Sequence, residues 1–163
     1  MKTLLVLRHA KSSWNDPALD DHERPLNKRG RRDAPRMGEL VREYGLIPDV
    51  IISSNAARAR LTAEAVAEAA RYAGEILLDP RLYLACPADI LSLLTAVREN
   101  AGTVMIIGHN PGLEELVEQL TGERQDLPTA TLAQIRLPID QWCDLKLSTR
   151  GTLVGLWRPE ELT

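Results

Sequence analysis

The sequence predicts an α/β fold on a mostly parallel sheet, and three observations predict it. Short apolar runs, Leu4 to Leu7, Val50 to Ile52 and Val104 to Ile107, each end in polar or charged residues, as buried strands do. Between them lie segments whose apolar residues recur three and four apart, the helical spacing. Tight polar or glycine-containing turns join the two kinds of segment, so strand, turn and helix repeat in a βαβ rhythm. The first run also resembles the start of a secretory signal, because Met1-Lys2-Thr3 precedes it. Only four apolar residues stand before Arg8, however, where about 7 to 15 are needed.

Taken in order, Leu4 to Leu7 is a strand that delivers Arg8 and His9 at its carboxyl end. Asn15 to Pro25 carries Asp16, Asp20, Asp21, His22 and Glu23, too much charge to bury, and reads as a surface loop beside the strand end. His22 is assigned to that surface. Asn27 caps a helix whose inward positions are Ala34, Met37, Leu40, Val41 and Tyr44, with Pro35 expected to kink or restart it and Gly45 to end it. Asp49 to Ser53 is the second strand. Ser54 or Asn55 then caps a helix running to about Tyr72, with Leu61, Ala65, Ala69 and Tyr72 on one face.

Glu75 to Leu78 reads as a short strand, followed by a connection through Tyr83 and Pro87 and a helix from Ala88 to Glu99 with Ile90, Leu91, Leu94 and Val97 inward. Thr103 to Ile107 is the clearest buried strand. It runs into Gly108-His109-Asn110-Pro111-Gly112, where Asn110 is the expected N-cap and Pro111 the first helical residue. Leu113, Leu116, Val117 and Leu120 form the inward face of that helix, and Gly122 stops it. Thr131 to Leu137 and Thr152 to Trp157 close the chain as two antiparallel strands.

The 163 residues, 44% of them hydrophobic, suit one domain spanning 1–163. A net charge of −3 argues against a nucleic-acid binder that relies on bulk electrostatics. The basic cluster Arg29, Arg31, Arg32 and Arg36 is interleaved with Asp33, Glu39 and Glu43, as on a solvated helix face. Cys86 and Cys143 lie far apart without a CxxC spacing, so the expectation is two buried, reduced thiols and a reducing cytoplasm. No run reaches the roughly 20 apolar residues of a membrane span, and neither a membrane nor nucleic acid is expected as a partner.

Three strand ends share a design. The first supplies Arg8 and His9; the second supplies Ser53, Ser54 and, in the next helical turn, Arg58; the third supplies His109 against a helix N-terminus. In a parallel sheet these carboxyl ends lie along one edge, where ligands of open α/β sheets bind. Two arginines, two histidines and a helix end converging on one point call for an anion with several oxygens, and arginine forks match phosphate bidentately. Taken singly, each of these residues has a plain structural reading as a hydrogen-bonded histidine or a solvated arginine; the force lies in their combination. Zinc is not expected, because His9 and His109 lack the third protein ligand that catalytic zinc takes.

These residues resemble the histidine phosphatase superfamily. Leu7-Arg8-His9-Ala10 is similar to its Arg-His-Gly signature, and Asn15 falls six residues after the histidine, as in the phosphoglycerate mutase branch. Ser54-Asn55-Ala56-Ala57-Arg58 followed by Thr62 resembles its second arginine motif, and Gly108-His109-Asn110 its second histidine motif. With Arg24-Pro25-Leu26 and Arg29-Gly30, the chain is most similar to SixA-type phosphohistidine phosphatases. That resemblance implies a phosphoglycerate mutase-like three-layer sandwich with helices on both faces of the sheet.

It also implies a two-step phosphoryl transfer without metal or other cofactor. His9 is the nucleophile; Arg8, Arg58 and His109 are the other catalytic residues and hold the phosphoryl oxygens, with Asn15 as a further substrate contact. Two departures stand out: Ala10 replaces the usual glycine, and Leu82 to Asp89 lacks the glutamate that larger relatives use as a general acid. Asp89 is expected to begin a helix, and Asp16, Asp20 or Asp21 reaches the site only if the polar loop folds over it. A missing acid disfavours an alkoxide leaving group more than an imidazole, which leaves neutral once its distal nitrogen is protonated. The expected substrate is therefore a phosphohistidine-bearing protein. The alternatives are a small phosphorylated metabolite, handled by a phosphatase or a mutase, and a non-catalytic phosphate-binding module.

Overall fold

In the computed structural model, which describes residues 1–162, the strands are β1 (Lys2–Arg8), β2 (Val50–Ser53), β3 (Ile76–Leu78), β4 (Thr103–Gly108), β5 (Leu132–Leu137) and β6 (Thr152–Trp157). They form one sheet in the order β3-β2-β4-β1-β5-β6. The β3–β2, β2–β4 and β4–β1 pairs are parallel, whereas β1–β5 and β5–β6 are antiparallel. Four helices complete the fold: α1 (Lys28–Glu43), α2 (Ala57–Ala70), α3 (Pro87–Leu94) and α4 (Gly112–Thr121).

Alternation along the strands explains the three layers, since successive side chains point to opposite faces. Leu5, Leu7, Ile51, Met105 and Ile107 pack under α1 and α2, while Leu4, Val6, Ile52, Val104 and Ile106 pack under α3 and α4. Because both faces are covered, the strands read as continuous apolar runs rather than alternating ones. Among the described residues no helix is long and apolar enough to cross a membrane.

Several local expectations are corrected. α1 runs unbroken through Pro35: the carbonyl that loses its partner belongs to Arg31, which is exposed, so water can satisfy it. The inward face of α2 is Ala59, Thr62, Ala63, Val66, Ala67 and Ala70, with Leu61, Ala65, Ala69 and Tyr72 only half-buried. An alanine-rich helix is apolar nearly all round, which blurs the periodicity. Neither Ser54 nor Asn55 occupies the N-cap of α2, which is Ala56; Ser54 Oγ instead accepts from the Ala56 amide at 3.1 Å.

α3 ends at Leu94, although Val97 beyond it is still buried. α4 begins at Gly112 rather than Pro111, and Asn110 does not cap it: its side-chain amide donates to the Leu127 carbonyl at 2.9 Å. Cys86 and Cys143 are free but exposed, not buried. The first stands at the start of α3 beside Asp89 and the second in a short 3-10 turn, both polar surface settings.

Candidate active site

Register places the functional ends of β1, β2 and β4 side by side. Arg8 pairs with Gly108, and Ser53 with Ile107. The ladder continues one step further: the His9 amide donates to the Gly108 carbonyl at 3.0 Å, and the Ser54 amide to the Ile107 carbonyl at 2.9 Å. His9 and His109 therefore leave adjacent strands at one level, and their ring centroids lie 5.1 Å apart. A cavity of about 280 Å³ opens here, lined by Arg8, His9, Ser12, Arg24, Arg58 and His109 among others.

His9 is buried, and its Nδ1 lies 2.7 Å from the Ala10 carbonyl. A carbonyl only accepts, so Nδ1 carries the proton and Nε2 keeps its lone pair in the neutral ring. Burial, with the Arg58, Arg8 and Arg24 charges acting in the same direction, pushes the His9 pKa down to about 4. The ring is neutral at physiological pH, with a free nucleophilic nitrogen. Thr62 anchors the residue that supplies this carbonyl: its Oγ1 accepts from the Ala10 amide at 2.9 Å and donates to the Arg58 carbonyl at 2.7 Å.

His109 is held by Ser54, with Nε2 2.9 Å from Oγ, and burial next to His9 lowers its pKa to about 3. Its Nδ1 is buried without a partner among the described residues, and so is Arg8 Nε. Arg8 Nη1 donates to the Leu127 carbonyl at 3.0 Å, the same oxygen that anchors Asn110. Burial lowers the Arg8 pKa from its ordinary value while Glu114 opposes that shift. The unpaired Arg8 N–H, and His109 Nδ1 when Ser54 donates to Nε2, are the groups an oxyanion would satisfy.

Arg58 is buried at the start of α2 and already has one neighbour: Nη1 donates to the Asp21 carbonyl at 2.7 Å and Nη2 to Asp21 Oδ2 at 3.0 Å. Of five guanidinium N–H groups, three remain for another oxyanion. The polar loop does fold over the site, and Asp21 is the aspartate that arrives. Arg24 holds it there, donating to Asp21 Oδ1 at 2.8 Å, to Ser12 Oγ and to the Ser13 carbonyl, while its guanidinium stacks 3.2 Å from the Trp14 ring centroid.

The four residues Arg8, His9, Arg58 and His109 are thus brought together. Asn15 is not: it is exposed and does not line the cavity, its amide donating to Ser13 Oγ at 3.1 Å. His22 is more than a surface residue, since its Nε2 lies 2.9 Å from Asn55 Oδ1 and its Nδ1 3.0 Å from Glu23 Oε1, and both contacts raise its pKa. Sequence reasoning gave no role to Arg24 or Tyr83, and placed Ser54 at the strand end without assigning it to His109. The Tyr83 hydroxyl donates to Asp21 Oδ2 and its ring meets His109 edge-on at 5.3 Å. Arg24 and Ser54 stood inside quoted motifs, whereas Tyr83 carried no signal beyond its place after β3.

Comparisons with known proteins give the chain its relatives. The sequence profile of the histidine phosphatase superfamily (branch 1) matches residues 4–83. An uncharacterised chloroplastic protein of Arabidopsis thaliana is 32% identical over 154 residues, covering 86% of this chain and 69% of that protein. The structure of a protein assigned as the phosphohistidine phosphatase SixA of Agrobacterium tumefaciens superposes with a TM-score of 0.83 at 30% identity, covering 97% of this chain and 98% of that one. Its counterpart from Nakamurella multipartitia gives 0.86 at 26% identity, covering 97% and 96%. With Arg8-His9 and His109 at adjacent strand ends, a second arginine at a helix start and two solved relatives matched along almost their whole length, the chain belongs to the histidine phosphatase superfamily.

Proposed function

We propose that the protein is a phosphatase that removes phosphate from protein phosphohistidine through a covalent intermediate on His9. The observation that carries the reading is the neutral His9 ring, locked with Nδ1–H on the Ala10 carbonyl and Nε2 free beside two arginines. In the first step the Nε2 lone pair attacks phosphorus and the substrate's leaving group departs in line. Water then attacks the phosphohistidine and releases inorganic phosphate, so one difficult displacement becomes two easier ones.

Arg8, Arg58 and His109 supply donors to the equatorial oxygens, where the charge of the transition state lies. If Ser54 donates its hydroxyl proton to His109 Nε2, the ring proton sits on Nδ1 and that nitrogen becomes a donor. Asn15 has no part in this scheme. The phosphohistidine preference is supported by the chemistry at the mouth of the cavity. No glutamate stands in the segment after β3, Asp89 is engaged at the start of α3, and Asp21 is held as a carboxylate by its hydrogen bonds from Tyr83, Arg24 and Arg58. A phosphate ester lacks a proton donor for its alkoxide here, whereas phosphohistidine brings its own proton on the distal ring nitrogen. The SixA name carried by relatives at 26 and 30% identity points the same way.

The test is turnover of a phosphohistidine-bearing phosphorelay domain beside a panel of small phosphate esters. The reading predicts the highest kcat/KM for the phosphohistidine protein. Faster turnover of any ester would assign the site to a phosphorylated metabolite instead.

A further inference from the structure

We propose that Asp21 selects the leaving group, its carboxylate accepting a hydrogen bond from the distal N–H of a phosphorylated imidazole and keeping that ring protonated until the P–N bond breaks. The inference rests on the phosphohistidine reading above and gives it a residue.

Asp21 adjoins the cavity without lining it, bonded to two residues that line it, Arg24 and Arg58. Its Oδ2 lies on Arg58, a cavity-lining residue, and on Tyr83, whose ring abuts His109. Its side chain is 45% exposed although three donors hold it, so it faces the open side of the site rather than the core. A carboxylate has about four acceptor positions, and Arg58, Arg24 and Tyr83 occupy three. The fourth is free for one incoming N–H. The charged and titratable groups around it are Arg24, Arg58, Tyr83 and, next in the chain, His22 with Glu23.

The step balances without any proton from the enzyme. His9 Nε2 forms the new N–P bond with its lone pair; the substrate's P–N bond breaks and its electron pair returns to the substrate ring nitrogen. The ring enters as a cation and leaves as neutral imidazole, its proton still on the distal nitrogen and still bonded to Asp21. An alkyl phosphate gains nothing from this carboxylate, since an alkoxide must be protonated and an ionised Asp21 has no proton to give. One residue therefore favours the phosphoramidate and disfavours the ester, so it supplies both sides of the specificity.

The experiment compares Asp21→Asn with the unmodified protein on a phosphohistidine phosphorelay domain and on p-nitrophenyl phosphate, an aryl ester whose leaving group needs no proton. The ratio of the two kcat values is expected to fall about 10- to 100-fold, the worth of one hydrogen bond to a charged group. The alkaline limb of kcat on the phosphohistidine protein is expected to move to lower pH, because the bound ring then gives up its proton more readily. A parallel loss on both substrates, with an unmoved limb, would overturn the proposal and leave Asp21 as a support for Arg58. Tyr83→Phe removes one donor from the same carboxylate while keeping its charge, and is expected to preserve the ratio; a ratio that collapses equally there would also overturn it. An unmodified protein that prefers the aryl ester would refute the phosphohistidine reading itself, which is a separate outcome.

Discussion

Thr62 is where the stability of the site and its chemistry meet, and Thr62→Val separates them. Valine keeps the volume and β-branching of threonine but removes the hydroxyl that accepts from the Ala10 amide and donates to the Arg58 carbonyl, in a position with no solvent access. The Ala10 N–H is then a buried donor without an acceptor, which costs about 1 to 3 kcal/mol. For a chain of this length each kcal/mol lowers Tm by about 2 to 4 °C, so calorimetry should find Tm reduced by about 2 to 12 °C. The same residue, on its following peptide, carries the carbonyl that fixes the His9 tautomer. Loosening it removes part of that bias, worth about 0.5 to 1.5 kcal/mol, or a 2- to 10-fold fall in kcat/KM. A variant with Tm within 1 °C of the parent and full kcat/KM would refute both the hydrogen-bond chain and the tautomer argument built on it.

Three further outcomes follow from the same geometry. His9 and His109 titrate near 4 and 3 in the folded chain but near 6.5 when unfolded. The unfolded state therefore binds more protons below pH 6.5, and stability should fall as the pH drops through 6.5 towards 4. The slope approaches about 2.7 kcal/mol per pH unit for two protons, and denaturant titrations at several pH values would read it; stability constant from pH 6.5 to 4.5 would contradict the neutral rings. A Cβ at Gly30 would clash with the Lys11 carbonyl oxygen, so Gly30→Ala must push the Lys11–Ser12 wall of the cavity. A loss of about 1 to 3 kcal/mol with weakened phosphate binding is expected, measured by unfolding and by isothermal titration. Asn15→Ala, outside the cavity and exposed, should alter kcat/KM by no more than about twofold.

Much of the architecture was readable because the strands β1, β2 and β4 are buried on both faces, which leaves uninterrupted apolar runs with abrupt polar ends. Those ends also carried the site: Arg8, His9, Arg58 and His109 could be gathered because parallel pairing aligns the carboxyl ends of neighbouring strands. What failed was information that a one-dimensional pattern does not contain. The inward face of α2 was hidden because alanines make every face of that helix apolar. Asn110 was free to cap α4 by sequence, but tertiary structure offered its amide the Leu127 carbonyl.

The same limit governs the site's second tier. Asp21 was one of three aspartates in a charged loop, and only the grip of Arg24 and Arg58 distinguishes it from Asp16 and Asp20. Tyr83 was placed only in a connection, since its role depends on a hydroxyl meeting a carboxylate 62 residues away in sequence. Asn15 shows the opposite case, where a matching spacing suggested a site residue and the folded loop leaves it exposed outside the cavity lining.

The most direct measurement is peptide mapping after a rapid alkaline quench, with the phosphoryl group of the phosphohistidine substrate radiolabelled. The account predicts acid-labile, base-stable label on His9 Nε2 within the first turnover, absent in His9→Ala. Label on any other residue, or phosphate release by His9→Ala at the parent rate, would contradict it.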